Sequence, residues 1–277
     1  MTTRSAFSAP FEVVEGTGAN LTGNVAPLLI CDHASNALPP GYGDLGLAES
    51  EFTRHIAYDI GAAAVTRGLA SALGSTAVLS GFSRLLIDPN RGLDDPTLIM
   101  RLSDGAVVPD NAYVGADEVA RRVRAYYDPY HGAIAAEVDR ALEAGNVPLI
   151  VSMHSFTPVW KSVARPWHVA VLWDSDPRLP LPLIAALEAE GDLVVGNNQP
   201  YDGALKNDTL YRHATLRGLP HALIEIRQDL ISSAEGVADW VARLTRLLPP
   251  LMAAPELAVV ARYGSRADRR LRAGEPT

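Results

Sequence analysis

Short, continuously apolar runs alternate along the chain with longer segments in which apolar residues recur at helical spacing. Continuously apolar strands are typical of parallel sheets, which are buried on both faces. The alternation predicts an α/β fold, a three-layer sandwich with a central mixed, mainly parallel sheet. The predicted strands are 28–31, 76–79, 85–87, 149–153, 169–173, 193–195 and 223–226.

Four segments with helical periodicity are predicted to lie between these strands. Gly74 follows the first of them and is a typical stop signal for a helix. Pro129 is expected to kink or divide the second, and Pro249 with Pro250 is expected to close the last. The predicted helices are 52–73, 119–142, 181–187 and 237–248.

The remaining segments suggest one domain with a tail. The longest stretch without a clear period is 92–115, and long irregular segments in compact domains are often functional loops. Residues 264–277 are charged and poor in apolar residues, so we expect a flexible tail there. No internal repeat or low-complexity linker interrupts the rest. We therefore predict a single domain over 1–263.

Composition and charge narrow the class of function. The chain has 277 residues, 48% of them hydrophobic, which suffices for one large core. No run approaches the roughly 20 apolar residues that span a bilayer, and the first residues lack the pattern of a signal peptide. Cys31 is the only cysteine, which excludes an intrachain disulfide and a thiolate-rich zinc site. The net charge of −8 argues against nucleic-acid binding. We expect a cytoplasmic protein that acts on a small molecule.

Two histidines and a carboxylate lie at or near the ends of apolar runs. His33 and His154 each follow such a run, and Glu225 lies inside a third. Side chains at the carboxyl ends of strands in an open α/β sheet converge on one crevice, so these three residues are expected to meet. A hydrolytic zinc ion usually takes three ligands from His, Asp and Glu and keeps one position for water. The third ligand is Asp59, Asn36 or neither.

Glu225 has two interpretations. Apolar neighbours on both sides suggest a partly desolvated carboxylate, and burial raises the pKa toward the range useful to a general base. Alternatively, Glu225 forms an ion pair with Arg227, which lies two residues on and therefore on the same face of the strand.

The segment Asp88-Pro89-Asn90-Arg91 also follows an apolar run. A guanidinium beside an amide is suited to binding a substrate carboxylate, because arginine offers paired donors in a fixed geometry. The alternative is an ordinary turn that carries a surface arginine.

Taken together and in order, these motifs resemble the N-formylglutamate amidohydrolase family, whose members are similar to zinc carboxypeptidases in their α/β architecture. The resemblance extends from about residue 28 to 248, and the segments around Tyr201 and His213 add to it. The four motifs are Cys-Asp-His33-Ala-Ser-Asn36, Asp88-Pro-Asn90-Arg91, Ser-Met-His154-Ser-Phe and Ile-Glu225-Ile-Arg227-Gln-Asp229-Leu.

The resemblance implies a metal-dependent amidohydrolase that cleaves N-formyl-L-glutamate, or a similar N-acyl amino acid, and points to histidine catabolism. It implies that His33 and His154 bind Zn²⁺ or another divalent metal, and that Glu225 is the catalytic carboxylate.

The resemblance also implies how an acidic small-molecule substrate is held. Asn90 and Arg91 would bind the substrate's carboxylate, and His213 and Arg227 would line the same site. One feature departs from the related carboxypeptidases: their His-x-x-Glu metal motif has Asn36 in its fourth position here, and an amide is a poor zinc ligand. Two alternatives therefore remain open, a hydrolase of another acyl amino acid or short acidic peptide, and a non-catalytic protein that binds an acidic metabolite.

Overall fold

A seven-stranded mixed sheet forms the centre of the computed structural model, which describes residues 4–18 and 24–270. Two small hairpins lie outside this sheet, β4–β5 and β7–β8. The strands are β1 (Phe11–Val14), β2 (Val25–Cys31), β3 (Thr76–Ser80), β4 (Leu102–Ser103), β5 (Ala106–Val107), β6 (Val147–Phe156), β7 (Val159–Trp160), β8 (Val163–Ala164), β9 (Val169–Leu172), β10 (Val195–Asn197) and β11 (His221–Arg227).

The order of strands in the sheet is β1-β3-β2-β6-β11-β9-β10. The four neighbours β3, β2, β6 and β11 run parallel to one another, so their carboxyl ends lie at one edge. β1 pairs antiparallel with β3 at one side, and β9 pairs antiparallel with β11 at the other. The predicted mixed, mainly parallel sheet is confirmed.

Helices cover both faces of the sheet. One face packs against α1, α4 and α6, and the other packs against α3 and the loops around it. This is the predicted three-layer arrangement. The helices are α1 (Ala62–Leu73), α2 (Ala116–Arg122), α3 (Asp128–Glu143), α4 (Pro180–Glu188), α5 (Thr209–His213), α6 (Ala234–Met252) and α7 (Arg266–Arg270).

Alternation along β11 separates the core from the cavity described below. Ile224 and Ile226 belong to the aliphatic cluster beneath α1 and α6. Leu223 and Glu225 point to the opposite face, because successive side chains of a strand alternate. A strand buried on both faces can thus carry one carboxylate without placing it in the aliphatic core.

The predicted strand 85–87 is wrong. Leu85, Leu86 and Ile87 are buried in the core, but Leu85 and Leu86 lie in a turn and Ile87 lies in irregular backbone after it. Ser83 explains the difference, since its backbone N–H donates to the carbonyl of Ala37 and its hydroxyl donates to the carbonyl of Ala57. These bonds hold the segment against neighbouring loops and not against a strand.

The predicted helix 52–73 is wrong in its first half. The regular helix begins only at Ala62, after Gly61, whose φ of 81° lies in the left-handed region. Upstream, the backbone N–H of Asp59 donates to the carbonyl of His33 at 2.9 Å, which keeps this segment out of a helix. The irregular backbone brings the Asp59 side chain to the end of β2.

The two proline predictions had different outcomes. A π-helical turn, Val123–Tyr127, separates α2 from α3, and Pro129 lies in the first turn of α3, so the predicted division is confirmed. Pro249 and Pro250, in contrast, do not close α6, which continues to Met252. The buried side chains of Leu248 and Met252 keep this last turn packed against the core.

The loop and tail predictions can be compared with the described residues. Segment 92–115 is largely irregular, with only the β4–β5 hairpin and one 3-10 turn, Pro109–Asn111. Within the expected tail 264–277, Arg266 lies in α7 and donates to the Asp202 carboxylate at 2.7 Å, and the flexibility of this tail stays a prediction. Residues 271–277 lie outside the described residues. None of the described helices has the length and apolar character needed to cross a bilayer.

The conformation at Gly61 gives a test of the fold. A Cβ atom at this position would lie 2.3 Å from the carbonyl oxygen of Ile231, in addition to the strain of the positive φ. We expect Gly61→Ala to lower the free energy of unfolding by about 2–4 kcal/mol, measured by urea denaturation.

Gly132→Ala is the matched control. Gly132 lies in α3, and a methyl group added there would meet no atom within 4 Å apart from its chain neighbours and the backbone of its own helix. This change should therefore leave stability unaltered or raise it by up to about 1 kcal/mol. Equal effects of the two substitutions would contradict the strain assigned to Gly61.

Candidate metal and catalytic site

The carboxyl ends of the parallel strands open into a cavity of about 300 Å³. The convergence predicted from the strand ends is therefore observed. His213 and Arg227 do not belong to the cavity wall. The predicted site residues that line it are His33, Asp59, Asn90, Arg91, His154 and Glu225.

His33 lies just beyond β2, with its two ring nitrogens in different surroundings. Nε2 is 2.7 Å from Oδ1 of Asp88. Nδ1 is buried without a hydrogen-bond partner among the described residues and lies 3.4 Å from Oδ2 of Asp59. Burial, followed by the positive charge of Arg84, lowers the pKa of His33 to about 4. The imidazole is neutral at neutral pH, which is the form that binds metals.

His154 lies near the carboxyl end of β6 and faces the same carboxylate. Its Nδ1 is 2.9 Å from Oδ2 of Asp59, and its Nε2 is 3.1 Å from Oδ2 of Asp32. The rings of His33 and His154 are nearly perpendicular, with centroids 5.0 Å apart. Each histidine thus has one nitrogen held by a carboxylate behind it and the other directed at Asp59.

Asp32 is the carboxylate behind His154, and it is fully buried. Burial alone would raise its pKa, but the hydrogen bond and electrostatic attraction of His154 outweigh that effect and hold the pKa below its usual range. Thr209 and Tyr130 also donate to its Oδ1, at 2.6 and 3.0 Å. Asp32 is therefore an ionised, fully bonded anion.

Asp88 has the same role behind His33. Burial would raise its pKa, but His33 and Arg91 hold it below the usual range. Carboxylates that bind the outer nitrogen of a metal-ligating histidine fix the orientation of the ring and raise its basicity. Asp32 and Asp88 have the positions that this arrangement requires.

Asp59 completes the cluster. The candidate ligand atoms of His33, Asp59 and His154 all lie within 4.8 Å of one another, and the three side chains are buried. Two imidazoles and a carboxylate form a donor set that suits zinc and similar divalent metals. The unpartnered Nδ1 of His33 is the observation that fits a metal best, because a buried ring nitrogen normally has a partner. These residues could bind a metal.

Asn36, the other candidate for the third ligand, lies outside the cavity wall. Its amide nitrogen donates to the carbonyl of Phe52 at 2.9 Å, and its oxygen accepts the backbone N–H of Ser5 at 2.8 Å. Both ends of the amide bind backbone, so Asn36 has a structural role. The structure favours Asp59.

Glu225 lies beside His154, because the two residues are paired in the register of β11 and β6. The residue is 7% exposed, and the side-chain Oε2 has no hydrogen-bond partner among the described residues. Burial raises the pKa of Glu225. The alternative ion pair with Arg227 is not formed, since Arg227 binds Asp229 at 2.7 Å. Glu225 is a desolvated carboxylate that faces the cluster.

Asn90 and Arg91 line the cavity wall beside His33. The backbone N–H of Asn90 donates to Asp88 Oδ1 at 2.9 Å, so one carboxylate holds both His33 and this turn. Nε of Arg91 is buried and unpartnered among the described residues. A guanidinium with unused donors at a cavity wall is suited to binding an anionic group.

His213 lies behind that turn and not in the cavity. Its Nε2 is 2.9 Å from Nδ1 of His131, and Nε2 of His131 is 3.0 Å from the carbonyl of Pro89. The structure thus corrects the expectation that His213 lines the site, because the side chain reaches only the back of the Asp88–Arg91 turn. The same correction applies to Arg227, which Asp229 holds away from the cavity.

Nine residues that line the cavity were not singled out as site residues by the sequence, and four of them are polar residues whose contacts bear on the site: His55, Arg84, Tyr201 and Asp208. Arg84 contacts Asp59 Oδ1 through its guanidinium, and His55 Nδ1 lies 3.3 Å from the same oxygen. Burial raises the pKa of Asp208 to about 7. Tyr201 accepts a hydrogen bond from Arg165 at 3.0 Å. None of the four lies at the end of a sheet strand, so the strand-end pattern could not identify them.

Comparison with known proteins defines the family. The sequence pattern of the N-formylglutamate amidohydrolase family matches residues 26–232. The chain belongs to this family. It is accordingly a hydrolase that acts on an amide bond. No curated protein matches the chain at a significant level.

Two solved structures share the fold of this family member. The structure of gene product Atu2144 from Agrobacterium tumefaciens has 33% sequence identity and a TM-score of 0.83, and the match covers 90% of this chain and 97% of that chain. The N-formylglutamate amidohydrolase from Ralstonia eutropha JMP134 has 24% identity and a TM-score of 0.62, with coverage of 88% and 97%. The second likeness supports the fold.

The cluster predicts that the purified protein holds about one divalent ion per chain, to be measured by elemental analysis after mild purification. His33→Ala should abolish this binding. Asp88→Asn should weaken it about 10- to 100-fold in a chelator competition, because the ring of His33 loses its anchoring carboxylate.

His168→Ala is the control for these variants. The His168 imidazole accepts the backbone N–H of Val194 and is not part of the cavity wall, so the metal content should stay at the wild-type value. Full metal content in His33→Ala would refute the assigned cluster.

Proposed function

We propose that the protein is a metal-dependent amidohydrolase of N-formyl-L-glutamate or a similar N-acyl amino acid, acting in the cytoplasm. The observation that carries the proposal is the unpartnered, buried carboxylate of Glu225, which faces the same cavity as the His33–Asp59–His154 cluster. Membership of the family supports amide hydrolysis, and the two features together supply what that reaction needs.

We assign the metal to His33, Asp59 and His154, and we favour zinc because two imidazoles and one carboxylate match its catalytic sites. When bound, such an ion acts as a Lewis acid that polarises the amide carbonyl and makes water a better nucleophile. The chain contributes two imidazoles, which Asp32 and Asp88 orient from behind.

Glu225 is the proposed general base. A base must accept a proton in the transition state, and a raised pKa brings a carboxylate closer to the pH at which it works. Burial raises the pKa of Glu225, and its free Oε2 has an unused acceptor position. We propose that Glu225 takes the proton of the attacking water and then delivers it to the leaving nitrogen, so the amino acid departs as a neutral amine.

The two arginines of the cavity wall, Arg84 and Arg91, have different proposed roles. Arg91, together with Asn90, is proposed to bind a carboxylate of the substrate. Arg84 lies against Asp59, and its Nε is buried and unpartnered among the described residues. We propose that Arg84 donates to the carbonyl oxygen, which gains negative charge as water attacks.

A direct assay tests the proposal. Purified protein supplemented with Zn²⁺ should release formate and L-glutamate in equal amounts from N-formyl-L-glutamate, measured by coupled formate detection and by amino-acid analysis. Release should stop after chelation and return when the metal is restored. The absence of hydrolysis with every N-acyl amino acid in metal-loaded protein would overturn the proposed function.

Removal of the proposed base gives the sharpest kinetic test. Glu225→Gln keeps the size and hydrogen-bonding capacity of the side chain but cannot accept the proton. We expect kcat to fall about 10² to 10⁴-fold while metal content is unchanged. Near-normal turnover would remove Glu225 from the mechanism.

Thermal unfolding at different pH values shows whether the variant is folded. Because burial raises the pKa of Glu225, folding favours its protonated form, and its contribution to stability is lost as pH rises through that pKa. In chelated protein, Glu225→Gln should therefore melt above the wild type at pH 8 and match it in acid. A lower melting temperature at pH 8 would contradict the desolvation of Glu225.

Arg91→Lys tests the carboxylate site. Lysine keeps the charge but loses the paired donors of the guanidinium, so KM for an N-acyl glutamate should rise about tenfold or more with a smaller change in kcat. Arg124→Lys, an exposed position on the π-helical turn, should leave both parameters unchanged. An unaltered KM in Arg91→Lys would place the substrate carboxylate elsewhere.

A further inference from the structure

A second chamber of about 450 Å³ adjoins the site cavity. His55, Arg84 and Tyr201 line both spaces and form the wall between them. The chamber is larger than the site cavity. Hydrolysis of a formyl group does not require this second space.

The position of the chamber relative to the His33–Asp59–His154 cluster indicates which part of a bound substrate would enter it. Asn90 and Arg91 line only the site cavity, on the side of His33. His55 and Arg84 belong to the shared wall, and both contact Oδ1 of Asp59. A substrate with its carboxylate at Arg91 and its amide carbon at the cluster therefore directs its acyl group toward the chamber.

The lining of the chamber indicates the chemistry of that acyl group. Ile56, Ile60, Met100 and Trp160 supply apolar surface. The polar part of the lining includes Ser103 of the β4–β5 hairpin and the ion-paired Arg54 and Asp104. A formyl group has a single carbon and leaves the apolar surface without contact. An apolar chain of several carbons would cover it, and each buried methylene raises affinity by about three- to fourfold.

We infer that the chamber binds the acyl chain of the substrate, so that the preferred substrate is an N-acyl amino acid with an apolar acyl group of several carbons. This inference rests on the proposed function and narrows its substrate class. The reaction is balanced by one water: the amide C–N bond breaks, a C–O bond forms, and the proton passes to nitrogen, which yields a carboxylic acid and a free amino acid.

A chain-length series is the first part of the test. kcat/KM is measured for the N-formyl, N-acetyl, N-butanoyl and N-hexanoyl derivatives of L-glutamate with metal-loaded enzyme. We expect at least a tenfold increase from acetyl to hexanoyl, since four methylenes become buried. A steady decrease with chain length would overturn the inference.

Two neighbouring residues of β4 provide a matched pair of variants. Ser103 lines the chamber, whereas Leu102 is 62% exposed and points to the other side of the hairpin. Ser103→Trp should fill the chamber and lower the hexanoyl-to-acetyl preference about tenfold or more. Leu102→Trp adds the same bulk to the same hairpin and should leave the preference unchanged. Equal effects of both substitutions would contradict the assignment.

A binding experiment distinguishes an error in the assignment of the chamber from an error in the proposed hydrolysis. N-hexanoyl-L-glutamate is titrated calorimetrically into metal-loaded Glu225→Gln protein, with and without Ser103→Trp. In one outcome, N-hexanoyl-L-glutamate binds tightly, Ser103→Trp weakens this binding, and the wild type turns over no derivative. This result would refute the proposed hydrolysis and support the acyl-chain site in the chamber. In the other outcome, the wild type hydrolyses the N-formyl derivative rapidly, but the N-hexanoyl derivative binds no more tightly than the N-formyl derivative. This result would support the proposed hydrolysis and refute the acyl-chain site in the chamber.

Discussion

The need to compensate two buried negative charges organises the whole site. Asp32 and Asp88 are almost completely removed from solvent, and a carboxylate in such surroundings is tolerated only when hydrogen bonds and opposite charge replace its hydration. The bonds that compensate Asp32 come from Tyr130 in α3, Thr209 in α5 and His154 in β6, so three elements are tied to one anion. Each carboxylate also holds one imidazole nitrogen. The compensation of these two buried charges therefore orients the candidate ligands His33 and His154 and also fixes the packing around them.

Three of the site residues that the sequence predicted lie on a strand of the sheet or just beyond one, whereas Asp59, Asn90 and Arg91 do not. His33 follows β2, His154 lies near the end of β6, and Glu225 lies beside it on β11. Strand periodicity is a local signal, and the parallel arrangement of these strands then brings their ends to one edge. The fold class and the meeting of these three side chains could therefore be predicted from the sequence with no knowledge of the tertiary contacts.

The rest of the site depends on contacts between loops, for which one sequence carries no local signal. Asp59 lies in a segment whose apolar spacing predicts a helix, but a hydrogen bond from its backbone to His33 overrides that preference. Arg84 begins a turn, and the hydroxyl of Ser83 before it donates to the carbonyl of Ala57. The errors at His213 and Arg227 have a related cause, since adjacency in a motif does not specify whether a side chain faces the cavity or the packing behind it. Predictions from the sequence were thus most reliable where the backbone is regular.

The two small hairpins that stand apart from the central sheet have an implication for how this scaffold diversifies. The β4–β5 hairpin contributes Ser103 to the second chamber, and the β7–β8 hairpin contributes Trp160. Neither hairpin pairs with a strand that carries Glu225 or His154. Changes of length or composition in these hairpins consequently leave the spacing between the reacting groups intact. In directed evolution, libraries confined to the two hairpins would search for new acyl groups while most variants retain their folding yield and hydrolytic machinery.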